Sequence, residues 1–121
     1  MSTSTNTSPA SNPHFGNIDR APYEFGYLLR RLPADFFPGI PLEPEVLLRA
    51  SAAADHAYNA NCTLMIGLEA LGKLMFVASS NQQLDADTVS DIGCLIQHIA
   101  IEAQFLQETE NALRSAIGEQ P

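Results

Sequence analysis

Cys94, His98 and Glu102 set out a thiol, an imidazole and a carboxylate at four-residue intervals, which would align all three along one face of a helix. Those are metal-ligand types. Three ligands spread over two helical turns do not converge on one ion without help from a neighbouring element. An antiparallel partner near residues 62–71 adds only Cys62 and Glu69. The expectation is therefore a half-buried histidine beside a buried thiol. A cysteine nucleophile fares no better, because nothing flanking Cys94 resembles the tight turn or helix N-terminus that would lower a thiol pKa. Asp55 and His56 are adjacent, point to different helix faces, and are expected at the solvated surface.

No glycine-rich phosphate loop, paired-cysteine zinc spacing or serine nucleophile elbow occurs. Gly67, Gly72 and Gly93 fall inside helical pattern and are read as points of close helix approach. The sequence thus assigns no catalytic, cofactor-binding or metal-binding residue, and the expectation is a protein that is not an enzyme.

The elements that would carry these residues follow from proline placement and apolar period. Residues 1–13 are mostly Ser, Thr, Asn and Pro and read as a disordered tail. Residues 14–43 hold six of the nine aromatics together with Pro22, Pro33, Pro38 and Pro41, which predicts an extended aromatic arm with one short helix at 23–32. After Pro44 no proline recurs until Pro121. Leu47, Ala50, Ala54, Ala57, Asn61, Leu64, Leu68, Leu71, Met75 and Ala78 recur every three or four positions and define helix A, 44–78. Asp85 and Thr88 supply a start signal, with Leu84 placed to staple onto Val89. Helix B, 86–117, then carries Val89, Ile92, Ile96, Ile99, Ala103, Leu106, Glu110, Leu113 and Ile117, with Gly118 as its stop.

The fold class is all-α: a long antiparallel two-helix hairpin over 44–121, expected to dimerise into a four-helix bundle and preceded by the arm. An alanine-rich seam buries little area, so further cover is required. Self-association is assigned to Asn61, Leu64, Leu68, Leu71, Ile92, Ile96 and Ile99, Asn61 being the polar seam position that could fix register. Interaction is assigned to Phe25, Tyr27, Phe36, Phe37, Ile101 and Phe105, since aromatic anchors dominate many protein interfaces; the surface the arm covers is expected to be, in order of preference, the protein's own hairpin, a dimer mate or a foreign partner.

Charge narrows the partner class. Residues 1–40 balance three acids against three bases, whereas the remainder carries eleven acids against three bases, giving the net charge of −8. That distribution lacks the clustered Lys and Arg that nucleic acid or an anionic membrane surface requires. No run of 18 to 20 unbroken apolar residues is evident, the N-terminus lacks the pattern of a leader, and two cysteines are too few for a disulfide scaffold. The reading is a cytoplasmic, acidic, homodimeric protein of small bacterial or phage type, with no membrane and no direct nucleic-acid contact. Its function would be that of an interaction module: an adaptor, assembly or regulatory protein. The alternative is an acidic inhibitor, phage- or plasmid-type, that occupies a basic nucleic-acid-binding groove of its target.

Overall fold

Pro22 has no amide hydrogen to donate and is accommodated in the first turn of a nine-residue helix, Ala21–Leu29 (α1), which follows a single 3-10 turn, Ile18–Arg20. The structure, a computed structural model, describes residues 12–33, 36 and 43–118. The arm is therefore folded, not extended, across the part described. Its helix begins two residues before the expected 23–32 and ends three earlier, because proline belongs within the first turn. Ala21, Phe25 and Leu28 make its buried stripe.

Two long helices follow, Pro44–Ser80 (α2) and Ala86–Ala116 (α3), and they pack together as a hairpin. Pro44 occupies the first turn of α2, with Glu45 beside the positive helix end. Between the helices the chain turns through Gln82 in the left-handed region, φ 56°. Asp85 then caps α3, its Oδ1 accepting the Thr88 amide at 2.7 Å. Leu84 lines, with Leu71, Leu74, Met75, Ala78 and Ile92, an apolar cleft of about 190 Å³ at that end of the hairpin.

The core sits at one end of this hairpin. Ala52, Ala53 and Ala54 are all fully buried, and because neighbouring helical residues point about 100° apart, α2 must be covered there on more than one side. One cover is α3, through Leu106 and Leu113, and the other is α1 with the residues preceding it. Alanines let these elements approach closely. Phe25, Leu28 and Phe36 then fill the space that small side chains leave. Among the described residues, only α2 and α3 are present at the opposite end. No residue from 61 to 105 is buried.

Candidate interaction surface

Phe25 and Phe36, the expected anchors of the arm, are 4% and 1% exposed inside this chain. Their surface is already covered. Phe25 also packs edge-on against Phe105, ring centroids 6.1 Å apart, so α1 is clamped to α3 as well as α2. Tyr27 stays at the surface beneath the Arg31 guanidinium, 3.6 Å from its ring centroid. Phe37 lies outside the described residues.

The segment before α1 is tied to α2 by three contacts. Asn12 Nδ2 donates to the Leu48 carbonyl at 2.7 Å, His14 Nε2 meets Glu45 Oε2 at 2.6 Å, and Phe15 packs on His56 with centroids 4.8 Å apart. His56 overturns its expectation: it is fully buried rather than solvated, because Phe15 and α1 cover that face of α2. Among the described residues neither ring nitrogen has a hydrogen bond of ordinary geometry. Burial holds its pKa below the usual imidazole value, partly opposed by the charges of Glu24 and Asp55 and by the His14 backbone. Asp55 is half-buried and belongs to a network missed by the sequence reading. Arg114 Nη2 donates to Asp55 Oδ1 at 3.0 Å, and Arg114 Nε donates to Glu110 Oε2 at 2.8 Å. Glu110 had been visible only as a polar interruption of the α3 stripe.

The self-association set lies along the hairpin itself. Asn61, Leu64, Leu68, Leu71, Ile92, Ile96 and Ile99 are all half-buried, and Asn61 Nδ2 reaches Gln107 Oε1 of the facing helix at 3.4 Å. These positions have partners within one chain. The Asn61 Oδ1 is buried without a hydrogen bond.

The candidate metal row lies on the surface rather than half-buried as expected, because among the described residues nothing covers that face of α3. Cys94 is exposed, and so is His98, whose Nε2 comes within 3.5 Å of Glu102 Oε1. Among the described residues no three His, Cys, Asp or Glu side chains converge. Cys62 is half-buried, and both thiols are free.

What the surface does offer is apolar area. A groove of about 290 Å³ opens where the start of α1 meets α2 and α3, lined by Ile18, Pro22, Ala60, Leu64, Glu102 and Leu106. Projected along the helices at ~100° per residue, the same two faces continue past α1 as Gly67, Leu71 and Leu74 on α2 and Leu95 on α3. Leu74 is 68% exposed, Leu95 49%, Ile101 61% and Phe105 53%. The outer side of α2 adds Ile66 at 70% and Phe76 at 75%. These side chains are spread over different faces of the two helices rather than joined in one patch.

One expectation needs amending on this point. α2 is long and apolar enough, by length and composition, to cross a membrane, because Glu69 and Lys73 are the only charges between residues 56 and 84. The chain matches no family model, no curated protein and no solved structure.

Proposed function

We propose that this protein is a non-enzymatic interaction module, working by presenting helical surface at the two-helix end of its hairpin. The observation that carries the reading is the division of the fold into a buried three-element end and an exposed two-helix end. A domain with its own core has no need of Leu74, Ile101 and Phe105 at the surface, yet all three are more than half exposed. Helices with apolar faces bury them in bundles, and the partner class that fits is another helical surface. Self-association into a four-helix bundle is one way to meet that need. An adaptor or assembly role follows from a surface that binds without transforming.

The test uses point variants, since removing the arm would expose the alanine core. Leu74→Ser with Leu95→Ser, both exposed on the faces that continue the groove, is expected to abolish capture of partners by the tagged full chain in its native host, with the far-ultraviolet circular dichroism unchanged. Capture unaltered by this pair would sink the groove as the docking face.

A second reading draws on charge. Asp85, Asp87 and Asp91 are exposed at the hairpin tip, and no Lys or Arg occurs between residues 74 and 113. This favours an acidic inhibitor seated in a basic groove. Such a complex weakens steeply with salt, so target binding that is unchanged between 50 and 500 mM salt would exclude it.

A further inference from the structure

We infer that the outer strip of α2 is where two copies of this chain meet, antiparallel, about a two-fold axis level with Leu71. The inference rests on the reading of the protein as an interaction module and assigns one surface and its occupant.

Six residues make the strip: Cys62, Ile66, Glu69, Lys73, Phe76 and Ser80. At ~100° per residue they fall within an arc of about 80°, on the side of α2 turned away from the α3 seam. Ile66 and Phe76 are 70% and 75% exposed, and the side chains of Glu69 and Lys73 are 72% and 75% exposed. Nothing in the described chain covers them. Their order is palindromic about position 71: small polar, large apolar, acid, base, large apolar, small polar.

That order is what a two-fold symmetric contact requires, since each residue meets the residue equally far on the other side of the axis. An antiparallel copy puts Glu69 against Lys73 twice, Ile66 against Phe76 twice, and Cys62 near Ser80. The Glu69–Lys73 pair within one chain, at 3.5 Å, is an ordinary exposed i,i+4 contact that can be exchanged for contacts across the axis. A parallel copy would instead set Glu69 against Glu69, Lys73 against Lys73, and three tip aspartates against three others. In the antiparallel pair the tips, twelve residues from the axis, stand roughly 36 Å apart at 1.5 Å per residue, several screening lengths at physiological salt.

A lipid occupant fits less well. α2 enters hydrocarbon only with α3 attached, and α3 exposes Asp87, Asp91 and His98. Charged side chains at that depth are costly.

The strip spans about 27 Å of helix. It buries on the order of 500 Å² per copy, below the ~800 Å² of a standard interface, which points to micromolar affinity. Sedimentation equilibrium of the full chain from 1 to 300 µM in 150 mM salt is therefore the test. The wild type is expected to rise from 13.1 kDa toward about twice that mass. Glu69→Lys alone converts both cross-axis pairs to repulsion and is expected to weaken association by about tenfold or more. The double exchange Glu69→Lys with Lys73→Glu restores opposite charges at both and is expected to return the wild-type isotherm. A wild type that stays at 13 kDa throughout overturns the inference. So does Glu69→Lys associating as well as wild type, a double exchange that fails to recover, or flotation of the wild type with phosphatidylcholine vesicles. The groove variants Leu74→Ser and Leu95→Ser lie off the strip and report separately on the broader interaction reading. If they lose captured partners while the wild type sediments as a monomer, that reading stands and the two-copy contact falls.

Discussion

His56 is fully buried, and that desolvation favours the neutral imidazole. The unfolded chain then binds the proton more readily than the folded one. Stability contributed at this position is intact above the unfolded value of about 6.5 and is lost as pH falls below it toward the lowered folded value. Glu24 on α1, Asp55 on α2 and the His14 backbone face the ring and moderate the effect. The expected result is a urea midpoint that drops from pH 7.5 to 5.5 in the wild type and drops less in His56→Phe, which keeps the contact with Phe15. Asp85, whose cap holds its carboxyl below the usual range, titrates lower and leaves this interval undisturbed. Arg114 is the second residue whose loss would be felt. Its side chain is 17% exposed and bridges Asp55 to Glu110, itself 10% exposed. Arg114→Leu leaves two carboxylates uncompensated and is expected to cost about 2 to 4 kcal/mol by chemical denaturation. Adding Glu110→Leu should recover part of that, since the remaining groups pack as apolar neighbours.

At the scale of elements, the hairpin was legible because two long runs of 3.6-residue period are interrupted once, by a polar stretch carrying the Asp85 cap. The cap formed as the residues dictated. What the pattern does not encode is which element covers a given face. The run Ala52 to Ala54 is compatible with exposure or close packing, so the burial of His56 beside it depended on where Phe15 and α1 would land. Phe25 and Phe36 are buried on the chain's own hairpin, the first of the three surfaces expected for the arm, but the residue pattern alone does not choose among an own hairpin, a dimer mate and a foreign partner. The glycines were misread for a related reason. Gly67, Gly72 and Gly93 meet nothing within 4 Å of a built Cβ, so within one chain they serve no close approach. Gly67→Ala and Gly93→Ala are therefore expected to stabilise the protein by about 0.5 to 1 kcal/mol each through helix propensity. Gly118 is different, with φ 85° just past the end of α3, and Gly118→Ala should destabilise by a similar amount. Thermal melts of the three variants would separate the two cases.

The whole molecule is polarised along the hairpin axis. Ala21, Phe25, Leu28, Phe36, the alanines from 50 to 60, Leu106 and Leu113 form one cluster at one end. From 61 to 105 every residue keeps some exposure, and past the start of α1 the two helices have, among the described residues, only each other. Opening free energy follows buried apolar contact, so the two ends should not unfold with equal cost. Hydrogen exchange is expected to show slow amides over 50–60 and 106–113 and markedly faster ones over 67–98, even though all are helical. The difference should shrink as protein concentration rises, because a second copy on the outer strip of α2 protects the central turns around Leu71 by mass action. It should persist in Glu69→Lys at every concentration. Uniform protection along both helices in dilute wild-type protein would mean that the two-helix end is stable alone, and would remove the energetic reason for it to seek a partner.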